Sequence, residues 1–349
     1  MNHQNRPMEA WIQSWLIKEG IPTSKIKIER LAGDGSNRTF YRLTVSGANA
    51  SKNPLTFIAL SDPGWHLSKD YAPHQAYLAA RGLPVPKFLF EDAPAGFLMM
   101  EDLGDELLQL RMNSEPQNKM KWLHAASGLL AQLHGETFPV PDNLPIATRR
   151  FDGEKYFQEM CFTFEHLVVG YFGYPTADAA SLALVRQYCD DLALLQPIVF
   201  AHRDYHTRNL LVQNEKLILI DFQDARLGPP HYDLVSLIYD AYVPIQEAER
   251  AQLMQTYRTR LKPYPLFQKI AWDSFSDDLE LVAFQRVVKA AGSFASFFTR
   301  YGKSSHLAYL RPALETALKL QKSCAELPKE LNQIFNIEEW LKRLTAKGL

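Results

Sequence analysis

Cysteine is scarce. The 349 residues hold three, Cys161, Cys189 and Cys324, far apart and with no C-x-x-C. A disulfide framework and a cysteine zinc site are therefore not expected, and small core filler in a reducing compartment is the fitting role. An excess of either charge is missing too, since 38 Lys plus Arg against 39 Asp plus Glu leave a formal net charge of −1. No basic field is available for counterion release, so no nucleic-acid partner is expected. Nor does any segment approach the roughly 18 uninterrupted apolar residues that span a bilayer. The N-terminal MNHQNRPMEAWIQSW has no apolar run of signal-peptide length, which points to the cytoplasm and to no membrane partner. Internal repeats and low-complexity tracts are also absent.

What is present is an ordinary globular composition, 46% hydrophobic and 22% charged, at a length that suits two domains or one two-lobed enzyme. Met8 to Glu19 places Trp11, Trp15 and Leu16 on one helical face. Ile26 to Leu31, Thr39 to Val45 and Leu55 to Leu60 read as three antiparallel strands. A helix over Tyr71 to Ala80 and strands over Val85 to Phe90 and Phe97 to Met100 complete a five-stranded sheet with one inserted helix. Beyond Glu101-Asp102-Leu103-Gly104 the period turns helical, over Met120 to Leu133, Gly153 to Val169, Ala177 to Leu195 and nearly everything after 240. The expected fold class is α+β, with a β-rich lobe over residues 1–101 and a larger, mainly helical lobe over 102–349.

One β-like island, Ile198 to Asp221, interrupts the helices. It reads His202-Arg203-Asp204-Tyr205-His206-Thr207-Arg208-Asn209 and, after two short apolar runs, Ile220-Asp221-Phe222. An acid, an amide five residues on and a second acid ending a strand are what phosphoryl transfer from Mg-ATP requires. Asp204 accepts the hydroxyl proton and aims the nucleophile, while Asn209 and Asp221 offer the hard oxygens that Mg²⁺ prefers. The alternative is a polar hairpin whose Asp and Asn serve turn chemistry.

These residues resemble the aminoglycoside phosphotransferase superfamily of kinase-like small-molecule kinases, whose brace is H-G-D-x-H-x-x-N followed by I-D-F/W. Arg203 stands where Gly is common. The resemblance implies a bilobal protein-kinase-like fold with ATP and Mg²⁺, Asp204 as base, Asn209 and Asp221 on metal, and His202 supporting the loop. Gly228-Pro229-Pro230-His231-Tyr232-Asp233-Leu234 matches a further family segment, in which Asp233 is expected to cap or brace the following helix. Asp224 is either a loop acid or a second carboxylate near the metals.

At the nucleotide end, Gly33, Gly35 and Ser36 lie between the first two strands, where a Gly-rich loop would cover phosphates; a plain hairpin turn is the alternative. Met100, Glu101 and Leu103 fall at the lobe junction, the expected adenine-reading hinge. The third strand lacks the lysine of an ordinary kinase and the next helix lacks its glutamate partner. Arg38 and Arg42, on one face of the second strand, either replace that cation or face solvent.

Within the superfamily the chain resembles the branch of anomeric kinases of N-acetylmuramic acid and N-acetylglucosamine in cell-wall recycling. The resemblance rests on Gly33-Asp34-Gly35-Ser36, His202-Arg203-Asp204-Tyr205-His206, Ile220 to Ala225, and Gln285-Arg286-Val287-Val288-Lys289-Ala290-Ala291-Gly292-Ser293-Phe294. It implies a small-molecule sugar acceptor phosphorylated at its anomeric hydroxyl, with His206, Asp224, Arg286 and Lys289 as candidate substrate-binding residues. Bracing of the C-terminal helices is the other reading of Arg286 and Lys289. An aminoglycoside or choline-type kinase and a nucleotide-binding pseudokinase are the rival functions.

Overall fold

The structure is a computed structural model that describes residues 6–21, 26–31, 38–46, 55–62 and 70–349. It divides into two compact units, Met1–Asp105 with Ile218–Asp224, and Glu106–Leu217 with Ala225–Leu349. Against the expected division at residue 101, the first unit runs on to Asp105 and takes in a returning segment. The cause is visible inside that unit. Arg42 ties down both Asp102 and Asp105, the Leu219 N–H donates to Pro84 O at 2.8 Å, and the ring of Phe222 packs 4.8 Å from that of Tyr71.

The first unit opens with α1 (Arg6–Lys18), followed by β1 (Ile26–Arg30), β2 (Thr39–Val45) and β3 (Leu55–Ser61). After α2 (Tyr71–Ala80) come β4 (Phe88–Asp92) and β5 (Phe97–Glu101). The strands pair antiparallel in the order β1-β2-β3-β5-β4, the five-stranded sheet with an inserted helix that strand alternation had indicated. On β2 the alternation is strict: Tyr41, Leu43 and Val45 are buried, and Arg42 points to the other face. The buried face receives α1 through Trp11, Ile12, Trp15 and Leu16. Trp11 stacks 5.4 Å from Phe90, and Trp15 meets Phe57 edge-on at 5.0 Å, so two indoles anchor the helix on the sheet.

The second unit is mainly helical. Its elements are α3 (Leu108–Ser114), α4 (Lys119–Glu136), α5 (Gly153–Thr163), α6 (Ala179–Leu192), β6 (Val199–Ala201) and β7 (Leu210–Gln213). β8 (Lys216–Leu219) follows. Asn214 and Glu215, both at positive φ, make the tight turn between these two strands. Then come β9 (Arg226–Gly228), α7 (His231–Ile238), α8 (Glu247–Leu261), α9 (Trp272–Tyr301), α10 (Leu310–Ser323), α11 (Leu331–Ile334) and α12 (Ile337–Ala346). β9, whose three residues were too few to reveal it in the sequence, pairs antiparallel with β6.

The helix expected over Gly153 to Val169 is α5 continued by a π-helical stretch, Phe164–Tyr171. α9 crosses it at Gly292, where a Cβ would sit 2.4 Å from Thr163 Oγ1 and 2.7 Å from its Cα. Only glycine permits that approach. It turns the inward side of α9, which carries Gln285, Arg286 and Lys289, toward α5 and α7. Cys161, Cys189 and Cys324 are free thiols, the last two buried. Among the described residues no helix is long and apolar enough to cross a membrane.

Candidate active site

β6 delivers the loop His202 to Asn209 from the interior of the second unit, its three residues all buried. Arg203 enters with φ +82°, a region costly to a side chain and tolerated only where the surroundings enforce it. Asp233 enforces it. Its carboxylate accepts the N–H of His202 at 2.6 Å and that of Arg203 at 2.8 Å, while His134 Nε2 lies 3.2 Å away. The expected capping of α7 by Asp233 is thereby corrected: it stands in the helix's first turn, but its oxygens serve the loop. The far end is held by Asp240, which accepts from the Thr207 N–H at 2.8 Å and the Thr207 hydroxyl at 2.6 Å. Tyr205, fully buried, donates to Ala126 O at 2.8 Å. The residues facing outward are therefore set by contacts at every step.

Asp204 is among those residues, and about a quarter of its side chain is exposed. Its N–H donates to His202 Nδ1 at 3.3 Å, so His202 supports the loop. Lys289 Nζ donates to Asp204 Oδ1 at 3.1 Å and Arg286 Nη2 to the same oxygen at 3.3 Å. Arg286 Nε also donates to Ser236 Oγ at 2.9 Å. Burial alone would push the Asp204 carboxyl up, but Lys289, Arg203 and Arg286 outweigh it and hold the group well below the ordinary carboxylate range. The carboxylate is thus ionised and oriented. Burial likewise lowers Lys289, against the opposing pull of Asp204.

Asn209 Nδ2 donates to the backbone oxygen of Asp204 at 2.9 Å, which fixes the amide and reserves its oxygen as an acceptor. His206, half-buried, packs edge-on to Tyr242 at 5.3 Å between ring centroids, and burial drives its pKa down to about 3. The His206 backbone N–H donates to Asp204 O at 3.0 Å, which keeps the residue next to the loop acid.

A carboxylate that sequence reasoning passed over completes this cluster. Glu159, on α5 and only 4% exposed, accepts from Tyr232 Oη at 2.9 Å and Gln285 Nε2 at 3.3 Å. Lys155 Nζ and Arg203 Nε face its other oxygen at 3.4 and 3.6 Å. Its signal was available: Tyr156, Glu159, Met160 and Thr163 form the buried stripe of α5, and an acid stands in it.

In the first unit, Asp221, a predicted site residue, has φ +64°, a conformation costly to a side chain. Its Oδ1 accepts from Arg38 Nη2 at 3.2 Å and Gln223 Nε2 at 3.1 Å. Arg42 behaves differently. Nε and Nη2 grip Asp102 at 2.7 and 3.0 Å, and Nη1 and Nη2 grip Asp105 at 2.7 and 2.8 Å. A guanidinium so engaged anchors the segment after β5, a role that the alternation of β2 alone did not indicate. Glu101 Oε1 accepts from the Lys87 N–H at 2.7 Å, and Met100 and Leu103 are buried. Asp224 lies in the turn before β9, half-buried. Gly33, Gly35 and Ser36 fall outside the described residues.

Among the described residues no group of three or more His, Cys, Asp or Glu converges. Asn209 in the second unit and Asp221 in the first each carry a hard oxygen donor of the kind Mg²⁺ takes.

Comparison with known proteins agrees with this chemistry. Over 328 residues the chain is 28% identical to N-acetylmuramate/N-acetylglucosamine kinase of Neisseria meningitidis serogroup B, covering 90% of this chain and 92% of that one. The kinase of the same name from Pseudomonas aeruginosa is 31% identical over 266 residues, 72% of this chain and 73% of its own. In three dimensions the chain is similar to choline kinase from Cryptosporidium parvum, with TM-score 0.61 at 13% identity over 89% of this chain and 97% of that one. It is also similar to amicoumacin kinase in complex with AMP-PNP, Ca²⁺ and Ami, with TM-score 0.60 at 15% identity over 91% and 96%. These solved structures establish the kinase-like α+β fold. Residues 27–267, most of the chain and all of the Asp204 to Asp221 island, match the phosphotransferase enzyme family, and to that family the chain belongs.

Proposed function

We propose that the protein is an ATP-dependent kinase of an N-acetylated amino sugar, N-acetylmuramic acid or N-acetylglucosamine, and that it phosphorylates the anomeric hydroxyl. The observation that carries this reading is the ionised Asp204 carboxylate on a fully braced loop, flanked by Lys289 and Arg286. The names of the relatives support the acceptor class. Asp204 takes the proton of the attacking hydroxyl and aims its oxygen, contributions that a positioned base makes without covalent chemistry. Asn209 and Asp221 are the residues that would each offer an oxygen to Mg²⁺, which when bound would neutralise phosphate charge. Arg38, already turned to Asp221, is the cation we assign to the phosphates in place of the missing third-strand lysine.

The charges around Asp204 favour this acceptor over its rivals. Lys155, Arg203, Arg286 and Lys289 surround two carboxylates, Asp204 and Glu159, while Asp233 is turned to backbone N–H groups. A polycationic aminoglycoside or a choline headgroup would meet like charge there, whereas a neutral sugar or one with a carboxylate would not. The 1-phosphate product suits reuse of cell-wall sugars in the cytoplasm, where we place the reaction. ADP release measured over a panel of N-acetylmuramic acid, N-acetylglucosamine, kanamycin and choline tests the assignment. Turnover confined to the amino sugars is expected, and turnover of the cationic acceptors alone would overturn it.

A further inference from the structure

A polar contact deep in the second unit joins α7 to α9. Ser236, 3% exposed, stands four residues after Tyr232, so its hydroxyl and the Tyr232 ring share a face of α7. The hydroxyl has one proton, and Oγ gives it to Tyr232 O at 2.8 Å. What remains on that oxygen can only accept.

Arg286 supplies the donor, its Nε lying 2.9 Å from Ser236 Oγ. The Arg286 Cζ sits 5.7 Å from the centre of the Tyr232 ring, and Nη2 donates to Asp204 Oδ1 at 3.3 Å. Of the two hydrogen bonds the one to Ser236 is the shorter. A guanidinium is a rigid plane, so a bond at Nε and a ring beside it also fix where Nη1 and Nη2 point. Nη1 makes no hydrogen bond among the described residues and is not sealed from solvent. The group that touches Asp204 therefore has a second donor open beside it.

We propose that Ser236 is a positioning residue for the acceptor: it locks Arg286 from behind, so that Nη2 stays on Asp204 and Nη1 is presented to the molecule that Asp204 deprotonates. Ser236 touches no reacting atom, and its effect passes through Arg286. Without its oxygen the buried Nε–H loses its acceptor, and the guanidinium turns to find another. Lys289 still holds Asp204 Oδ1 at 3.1 Å, so the base keeps one of its two cations and the loss falls mainly on acceptor binding. The inference rests on Asp204 being the base, and part of its test stands apart from that reading.

The test is a double-mutant cycle with Ser236→Ala and Arg286→Lys, read as kcat and as separate KM values for ATP and for an amino sugar that the wild type turns over. Ser236→Ala is expected to raise KM for the sugar by at least about fivefold and to leave KM for ATP within about twofold. Ser236→Thr, which keeps the hydroxyl, is expected to restore most of that loss. Lysine has no Nε–H for Ser236 to hold, so in the Arg286→Lys background Ser236→Ala is expected to cost less than about twofold. An undiminished loss in that background, or an equal rise in both KM values, would overturn the proposal. Should Ser236→Ala fail to fold, Ser236→Cys, whose sulfur is a weak acceptor, enters the same cycle. A crystal structure of the Ser236 variant gives an answer that does not depend on the acceptor. Arg286 is expected to have left Asp204 Oδ1, and a guanidinium in its present place would overturn the inference even if no sugar were ever found to react.

Discussion

Lys289 Nζ lies 3.1 Å from Asp204 Oδ1, and Arg286 reaches the same oxygen at 3.3 Å. Two cations on one oxygen orient the carboxylate, and in the proposed reaction Oδ2 is the oxygen left for the proton of the incoming hydroxyl. They also lower the basicity of Asp204, which suits the role proposed for it in a loose phosphoryl-transfer transition state, where proton removal is late and positioning matters most.

Replacing Asp204 by Asn keeps the shape and removes the proton acceptor. We expect kcat to fall by about 10²–10⁴ and nucleotide affinity to survive. Steady-state kinetics and calorimetric titration of ATP check both halves; activity within a few-fold of wild type would contradict the assignment.

Asp221→Ala removes a proposed metal ligand. Nucleotide affinity measured with and without Mg²⁺ should depend on the metal in the wild type and lose that dependence in the variant. A variant that retains it would show that the ion is held elsewhere.

The two arginines of the first unit should separate by phenotype. Arg42→Ala strands Asp102, whose side chain is 6% exposed, and should destabilise the protein by about 2–3 kcal/mol, a buried-pair penalty reduced by the partial exposure of Arg42. Arg38→Ala should leave the denaturation midpoint within about 0.5 kcal/mol of wild type and lower kcat/KM by about 10²-fold. Urea unfolding and kinetics on both variants distinguish this from the reverse pattern.

His231, buried against the ring of Phe275 at 3.9 Å, is driven by burial from 6.5 to about 3. Its folded-state pKa lies below the unfolded one, so its contribution to stability is complete above pH 6.5 and is lost as pH falls toward 3. Between those limits it steepens the loss of stability by about 1.4 kcal/mol per pH unit. Urea midpoints between pH 4 and 6.5 should fall less steeply in His231→Gln than in wild type, whatever the variant's absolute stability; equal slopes would contradict a buried neutral imidazole.

Local pattern made much of this legible. Strand alternation in Tyr41, Leu43 and Val45 and the indole stripe Trp11 and Trp15 gave the first sheet and its covering helix. The expectation placed on Asp204, Asn209 and Asp221 could be formed from sequence because all three lie within one stretch of chain at a characteristic spacing. What escaped was long-range pairing. Asp233 and Asp240 reach back some thirty residues to the loop, and Glu159 meets groups from α7 and α9, partners that no local window contains. The anchoring contacts of Arg42 escaped for the same reason, since its alternation on β2 was clear but Asp102 and Asp105 lie 60 and 63 residues downstream.

The most direct test of the central claim is the phosphorus NMR spectrum of the product formed from ATP and N-acetylglucosamine, recorded with wild-type protein and with Asp204→Asn. The account expects the wild type to give a sugar phosphate whose phosphorus couples to the anomeric proton, and the variant to give almost none in the same time. A phosphorus coupled instead to the C6 protons, or equal product from both proteins, would contradict it.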